Sequence, residues 1–190
     1  MEADWEFEIG GDAPVIEACW PGYVDLRRAP EQARHLTEAA DLPALVDALV
    51  KLNAAASPVW TSKCDVWPAV DSADFDLDEL DAPPGSATHA MGCYIDILPT
   101  SEHQREQQWS TPPAAAAACK HICGILHAVP LRCCRVDLII RRAFITLDCD
   151  DLGITAYMTA CGASHADAVR ALGDTLAVFA DALCGHSTLQ

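Results

Sequence analysis

Residues 153–161 have the sequence GITAYMTAC, in which one set of alternate side chains is apolar and the other set is polar or ends in a thiol. Alternation over this length is typical of a β-strand with one buried side. Three further segments alternate in a similar way, at residues 59–67, 93–98 and 133–145. Strands of this kind form an antiparallel sheet in which helices cover one face and leave the other face open.

Three helices are indicated by capping residues combined with a helical spacing of apolar side chains. The last helix runs from Ser164, which opens an S-x-x-D capping box, to Gly185. The middle helix begins at Thr111 and ends before Pro130, because a proline ring disfavours helical backbone in the residue before it. The first helix begins near Asp41.

Two weaker strands are predicted near the N-terminus, at residues 5–9 and 23–26. From residue 23 onward the elements follow the order β-α-β-β-α-β and then β-α, which is a ferredoxin-like βαββαβ order extended by one strand and a C-terminal helix. We therefore predict an α+β fold with a mainly antiparallel sheet and with helices on one face. The 190 residues suit one domain, whose clear insertion is an acidic loop at residues 68–90.

The charge balance excludes some classes of partner. Asp and Glu number 28 against 12 Lys and Arg, which gives a formal net charge of −16. Such a surface repels nucleic-acid phosphates and attracts a basic protein or a cationic ligand. The N-terminus lacks the pattern of a signal peptide, and no apolar run approaches the roughly 20 residues that span a bilayer. We therefore expect a cytoplasmic protein that binds neither nucleic acid nor membrane.

The ten cysteines lie within apolar runs of regular structure, which favours buried, reduced thiols over disulfides. A metal site would draw on Cys119, Cys123 and His127, which are spaced four residues apart on the middle helix. Cys119 falls inside the apolar stripe of that helix, Cys123 on its flank and His127 towards solvent, so the three do not share one tight face. Core cysteines with a surface histidine are the favoured interpretation, and the chain has no C-x-x-C pair.

Cys161 ends a predicted strand and lies just before the N-terminus of the last helix. A helix N-terminus lowers the pKa of a thiol and favours the nucleophilic thiolate. His165, in the first helical turn, has the chemistry of a general base. An unreactive Cys161 beside an exposed His165 is the favoured interpretation, because the sequence identifies no third group that would orient the pair.

The polar sides of the predicted strands carry both signs of charge and an aromatic hydroxyl. If the alternation aligns between strands, these side chains share the open face and would suit a polar small molecule or a partner protein. A solvated face with cross-strand ion pairs explains the same pattern and is the commoner outcome. The predicted face consists of Lys63, Asp65, Asp96, Arg135, Asp137, Arg141, Tyr157 and Thr159.

These observations favour a small acidic binding or accessory protein over an enzyme. Its partner would be a basic protein, as for an immunity-type inhibitor, or a second copy of the chain, engaged through the open face, the acidic loop or both. One alternative is a small-molecule enzyme or ligand sensor that uses the open face with Cys161 as nucleophile. Another is a cysteine/histidine metal protein. The chain has no phosphate-binding glycine loop, no H-E-x-x-H and no G-x-S-x-G motif, and no pattern indicates a cofactor.

Overall fold

The computed structural model describes residues 1–20, 22–69, 75–100, 109, 111–146 and 149–185. Its sheet contains six strands, which are β1 (Glu2–Glu8), β2 (Ile16–Glu17), β3 (Val59–Ala69), β4 (His89–Pro99), β5 (Cys134–Thr146) and β6 (Cys149–Gly162). The α-helices in these residues are α1 (Pro43–Leu52), α2 (Pro112–His127) and α3 (His165–Cys184), with 3₁₀ helices at Pro30–His35 and Thr37–Ala39. The chain is therefore an α+β protein.

The sheet is mixed, and its strands lie in the order β1-β5-β6-β4-β3. Strands β1 and β2 both pair with β5 in the parallel sense. The β5–β6, β6–β4 and β4–β3 pairs are antiparallel, which agrees with the predicted character of the sheet. The first and last positions in the order are the edges, so β1 and β3 each have an outer side without a neighbouring strand in this order.

The strand predicted at residues 23–26 is not present. From α1 onward the elements follow the predicted order α-β-β-α-β-β-α, but the strands that precede α1 are β1 and β2. The backbone N–H of Tyr23 donates to the Trp20 carbonyl at 3.0 Å, which closes a turn. Asp25 accepts from both the backbone N–H and the Nε of Arg27, at 3.2 and 2.7 Å. These local hydrogen bonds pair polar groups of the segment in a turn conformation. The segment therefore does not depend on hydrogen bonds to a neighbouring strand. The N-terminal strand of the sheet is instead β1, at an edge.

Helices α2 and α3 begin where their capping residues predict, whereas α1, expected near Asp41, begins at Pro43 without a side-chain cap. The Ser164 hydroxyl accepts from the backbone N–H of Asp167 at 3.2 Å, and the Thr111 hydroxyl accepts from Ala114 at 3.4 Å. All three α-helices contribute to one buried cluster with a single face of the sheet, as predicted. The sheet side chains of that cluster include Cys93, Ile95, Ile97, Val136, Leu138, Ile140, Ile154, Ala156 and Met158, and the helix side chains include Leu49, Ile122, Leu172, Leu176 and Phe179.

A β-bulge interrupts β3 and corrects the predicted alternation of that strand. The register with β4 shifts between residues 61 and 64, so Ser62 and Lys63 together lie opposite Asp96. Because of the extra residue, the alternation of side chains between the two sides of the sheet is reversed on one side of the bulge. Trp60 and Cys64, which the sequence placed on the same side, therefore face opposite sides: Cys64 packs against the helix-covered core, and Trp60 belongs to a separate cluster.

The acidic loop predicted at residues 68–90 is shorter than expected, because β3 and β4 continue to pair as far as Ala69 and Ala90. Residues 70–74 lie outside the described residues. From Phe75 onward the loop folds back over one end of the sheet, where Leu80 is buried in a cluster with Ala90 and Cys161. The acidic side chains of Asp76, Asp78 and Glu79 in this loop are exposed.

The described cysteines are free thiols, and five of them are buried as expected, whereas Cys19 is exposed and Cys64, Cys133 and Cys184 are partly buried. No helix in the described ranges is both long enough and apolar enough to cross a bilayer. The free cysteines are Cys19, Cys64, Cys93, Cys119, Cys123, Cys133, Cys134, Cys161 and Cys184.

Candidate binding face

Among the described residues, the face of the sheet opposite the helices is covered at its two ends. At one end, the segment around Ile16 and Ala18 packs against Trp60 and Leu98. At the other end lies the cluster formed by the acidic loop. We call the side chains between these clusters the open face. They are Glu2, Asp4, Glu6, Glu8, Lys63, Asp65, Trp67, Tyr94, Asp96, Arg135, Asp137, Ile139, Arg141, Thr155, Tyr157 and Thr159.

The strand register brings the predicted face residues together. Asp137 lies opposite Tyr157 on β6, which in turn lies opposite Tyr94 on β4. Arg135 lies opposite Thr159 in the adjacent row. The eight predicted side chains therefore lie on one side of the sheet, with Lys63 at the margin formed by the β3 bulge.

A hydrogen-bonded network crosses four strands of the open face. Its centre is Arg141 on β5, whose side chain is only 13% exposed. The Arg141 Nε donates to Glu8 Oε2 at 2.9 Å, and Nη1 donates to Thr155 Oγ1 at 3.1 Å and to the Tyr157 hydroxyl at 3.4 Å. Thr155 Oγ1 then donates to Asp96 Oδ1 at 2.6 Å. The network thus links a surface carboxylate to a buried carboxylate through one guanidinium and one hydroxyl.

Asp96 differs from the other carboxylates of the face because it is only 7% exposed. Burial raises the pKa of Asp96, since water no longer solvates the ionised form, while the Thr155 hydrogen bond and the positive charges of Arg141 and Lys63 lower it. The raised pKa means that burial outweighs these favourable contacts. Burial therefore disfavours the ionised form of Asp96.

Three aromatic rings form a row across β3, β4 and β6. The ring centroids of Trp67 and Tyr94 are 6.2 Å apart, and those of Tyr94 and Tyr157 are 5.9 Å apart. The row continues to Arg141, whose Cζ lies 5.6 Å from the Tyr157 centroid. Gly92 allows this arrangement, because a Cβ at that position would lie 2.5 Å from the Trp67 indole. Trp67 remains 38% exposed and offers an apolar surface to a partner.

Strand β1 adds an acidic row that the sequence prediction of the face did not include. Glu2, Asp4, Glu6 and Glu8 lie beside β5 with the register of its open-face residues. The alternation of β1 was visible in the sequence, but its place in the sheet was not. Trp67 and Tyr94 were also missed, although their alternation already matched the polar side of their strands.

The open face carries more negative than positive charge. Its cations are Lys63, Arg135 and Arg141, and each has a carboxylate partner, at 3.8 Å for Lys63 and Glu17, 2.7 Å for Arg135 and Asp137, and 2.5 Å for Arg141 and Glu8. The remaining carboxylates of the face are Glu2, Asp4, Glu6, Asp65 and Asp96, which make no ion pair in the part of the chain that the structure describes.

The structure does not favour Cys161 as an activated nucleophile. Cys161 is only 2% exposed and lies beneath the acidic loop. Burial and the neighbouring Cys133 raise the pKa of the Cys161 thiol to about 12, which opposes the lowered pKa expected from a helix N-terminus. His165 is exposed on the first turn of α3, and no hydrogen bond joins it to Cys161 among the described residues.

The candidate metal ligands of α2 are also separated by burial. Cys119 and Cys123 lie in the core, where burial raises the pKa of their thiols to about 12 and about 11. His127 is exposed at the end of the helix. Across the described ranges, no three side chains of His, Cys, Asp or Glu are arranged to hold a metal ion.

Comparison with protein-family models, with curated proteins and with solved structures found no match to this chain. The fold by itself does not identify a function, because one fold supports many activities. The chemistry of the open face is therefore the basis for a functional proposal: a row of aromatic rings, a buried carboxylate and an excess of negative charge.

Proposed function

We propose that this chain is a binding protein that engages a basic protein through its open face, in the manner of an acidic immunity-type inhibitor. The single observation that carries the proposal is the charge balance of the face. Each of its cations is already paired with a carboxylate, so the remaining carboxylates set the sign of its potential. A positively charged surface would be attracted to this side of the sheet.

The acidic loop extends the same negative surface. Glu79 is exposed and close enough to Arg135 to influence the pKa of that guanidinium, which places the loop at the border of the open face. Asp76 and Asp78 are also exposed on this loop. Carboxylates arranged around a target surface steer a basic partner during approach and raise the association rate, most strongly at low salt.

The aromatic row supplies the apolar contact that charge alone does not give. Partly exposed aromatic side chains at the centre of an interface often contribute most of the binding energy. Trp67 is partly exposed and lies on the edge strand β3, at one end of the aromatic row. The proposed division of roles is that carboxylates determine the association rate and that Trp67 slows dissociation.

A charge-matched pair of variants tests the proposal. Asp4→Asn combined with Glu6→Gln removes two carboxylates from the open face, and Glu31→Gln combined with Asp47→Asn removes two exposed carboxylates elsewhere. The probe is cytochrome c, a basic protein, and the measurement is its association rate at about 20 and about 200 mM salt. We expect the open-face variant to associate at least about threefold more slowly than the control variant at low salt. Equal rates for the two variants would contradict the proposal.

A second candidate function is small-molecule binding at the same face, and the buried Asp96 beside Tyr94 and Tyr157 favours it. A carboxylic acid of raised pKa among aromatic rings is a feature of ligand sites. This candidate no longer has Cys161 as a supporting residue. Asp96→Asn separates the two functions, because the substitution should weaken a small ligand that contacts Asp96 more than it slows a basic protein, whose approach is governed by the exposed carboxylates of the face.

A further inference from the structure

The two edges of the sheet differ in the features that prevent an edge strand from pairing with another chain. The outer side of an edge strand presents unpaired N–H and C=O groups, and proteins commonly protect it with a bulge, a proline or a lysine. Strand β3 has all three, in the bulge between Thr61 and Cys64, in Pro68 and in Lys63. Strand β1 has none of them, and its seven residues pair with β5 in unbroken register.

Hydrogen bonding identifies the backbone groups on the outer side of β1. The backbone N–H of Trp5 donates to Asp4 Oδ1 at 2.8 Å, at an exposed position. A side-chain acceptor here indicates that the Trp5 N–H points away from β5, because inward N–H groups donate to the carbonyls of the neighbouring strand. Since the orientation of a strand repeats every two residues, the N–H groups of Ala3 and Phe7 also point outward. The described residues provide no neighbouring strand for this side of β1.

The open-face side of β1 carries a carboxylate at every second residue. Glu2, Asp4 and Glu6 make no ion pair within the described ranges, whereas Glu8 pairs with Arg141. Alternate side chains of a strand are about 7 Å apart. A neighbouring strand with a basic residue at every second position would therefore place its cations beside these carboxylates, and opposite charges on paired strands stabilise the pairing.

The other side of β1 is apolar and is partly uncovered. Phe7 lies on the helix-covered side of the sheet but is 41% exposed. Its ring meets that of Trp5 edge to face, with 5.7 Å between the centroids. A neighbouring strand would cover these rings if its remaining side chains were apolar. The edge therefore favours a segment in which basic and apolar residues alternate.

A second copy of β1 is a poor neighbour for this edge. Two β1 strands that paired in the antiparallel sense, with their open faces on the same side, would bring the row of carboxylates in one copy beside the row in the other. Like charges on paired strands are destabilising. The charge of the edge therefore opposes self-association and selects a basic segment as the occupant.

We propose that the outer edge of β1 binds an extended segment of a basic partner protein as an additional strand of the sheet. The segment pairs with the outward backbone groups of Ala3, Trp5 and Phe7, and its alternate basic residues lie beside the carboxylates of β1. This inference rests on the proposed function and specifies how the partner is engaged. Backbone hydrogen bonds provide affinity, and the spacing of the carboxylates provides sequence specificity.

Two fluorescein-labelled heptapeptides test the recognition pattern. The peptide KVKTKVK alternates lysine with β-branched residues, and the control VVTKKKK has the same composition and charge without the alternation. We expect KVKTKVK to bind at least about fivefold more tightly in fluorescence anisotropy at about 50 mM salt, because only its lysines align with alternate carboxylates along a paired strand. Equal affinities, or no measurable binding of KVKTKVK at millimolar concentration, would overturn the inference.

Amide hydrogen exchange, measured by NMR on the unsubstituted protein, tests the backbone pairing itself. Saturation with KVKTKVK should slow exchange of the outward N–H groups of Ala3, Trp5 and Phe7 by at least about threefold, because they gain acceptors. The N–H groups of Asp4 and Glu6 point towards β5 and should change less. Unchanged exchange of the outward groups in the bound protein would show that the peptide is held by charge alone, which contradicts the proposed pairing.

A pair of variants at Phe7 tests the same edge from the side of the protein. Phe7→Pro removes one outward N–H and places a ring at the edge, whereas Phe7→Ala removes the same aromatic ring and keeps the N–H. Phe7→Pro should bind KVKTKVK at least about fivefold more weakly than Phe7→Ala does, with circular dichroism confirming that both variants are folded. Equal affinities would overturn the inference. If Phe7→Pro does not fold, the exchange measurement decides.

The cytochrome c assay separates failure of this inference from failure of the proposed function, because it depends on the charge of the face alone. If the two peptides bind equally while Asp4→Asn with Glu6→Gln still slows association, the edge inference is wrong and the proposed function stands. If that variant associates at the rate of its control, the proposed function fails and this inference fails with it. A dimer in sedimentation velocity that Phe7→Pro dissociates would overturn the choice of a basic segment as the occupant.

Discussion

The two faces of strand β5 carry different kinds of side chain. On one face, Leu138 and Ile140 are fully buried under the helices. On the other, Arg135 and Arg141 lie among carboxylates and aromatic rings. Because successive side chains of a strand point to opposite sides, one segment can contribute to the core and to the open face. The comparison separates a face that stabilises the fold from a face that is available for binding, and each prediction below tests that separation.

The largest expected effect belongs to the helix-covered face. Phe179 on α3 is fully buried in the main cluster. Phe179→Ala should lower the free energy of unfolding by about 4 kcal/mol, because it removes buried area and leaves a cavity. Urea denaturation measures the loss, and the association rate of the still-folded variant with cytochrome c should match that of the unsubstituted protein. A loss below about 1 kcal/mol would mean that α3 is not packed as described.

Among open-face residues, Arg141 is the one whose substitution should lower the free energy of unfolding most. Arg141→Met keeps the aliphatic stem but deprives Glu8, Thr155 and Tyr157 of a donor. We expect a loss of about 2 kcal/mol, because hydrogen bonds to a charged group contribute more than neutral ones. Arg135→Met is the matched control: Arg135 is more exposed and pairs only along its own strand, so its loss should stay below about 1 kcal/mol. Equal losses in the two variants would show that the network adds no stability.

Gly92 tests whether the aromatic row depends on the backbone beneath it. Gly92→Ala places a methyl group 2.5 Å from the Trp67 indole, so the ring must move outward. Since Trp67 is at the surface, we expect a loss of only about 1 kcal/mol together with a red-shifted tryptophan emission. In a Trp67→Phe background the smaller ring should remove most of this cost, and that non-additivity isolates the contact. Additive effects would show that Gly92 is required for another reason.

The part of the fold that the sequence predicted is the part that local patterns determine. The alternation in β5 and β6 distinguishes the two faces because a strand has a side-chain period of two, and Ser164 marks the start of α3 through a hydrogen bond three residues away. The strand order was not predictable in this way. The pairing of β1 with β5 joins residues more than 130 positions apart, and nothing local to either strand specifies it.

The candidate site shows the same limit. The eight predicted face residues share one side of the sheet because strand alternation is local, but the bulge at Ser62 and Lys63 inserts one residue without any sequence signal that distinguishes it from a regular strand. The burial of Asp96 was also hidden, since it depends on the strands that flank β4 and on the side chains that they bring beside it, such as Thr155. Exposure of an individual polar residue therefore required the tertiary structure, whereas its side of the sheet did not.

The smallest expected effect concerns Asp96, and its sign is informative. Because burial raises the pKa of Asp96 in the folded protein, protonation favours folding, and this contribution is lost as the pH rises from the range of an unperturbed aspartate, about 3.9, through the raised value. Asp96→Asn should therefore unfold at higher urea than the unsubstituted protein at pH 7, and the difference should vanish at about pH 3.5. Asn still offers an oxygen to Thr155, so that hydrogen bond is retained.

The same measurement on Asp137→Asn provides the control, because Asp137 accepts from Arg135 near the surface of the same face. Its substitution should lower stability slightly at pH 7, by less than about 1 kcal/mol, as expected for a solvent-screened ion pair. If Asp96→Asn instead lowered stability at pH 7 and the loss disappeared on acidification, the attraction of Arg141 would outweigh burial. The proposed small-molecule alternative would then lose the carboxyl of raised pKa that supports it.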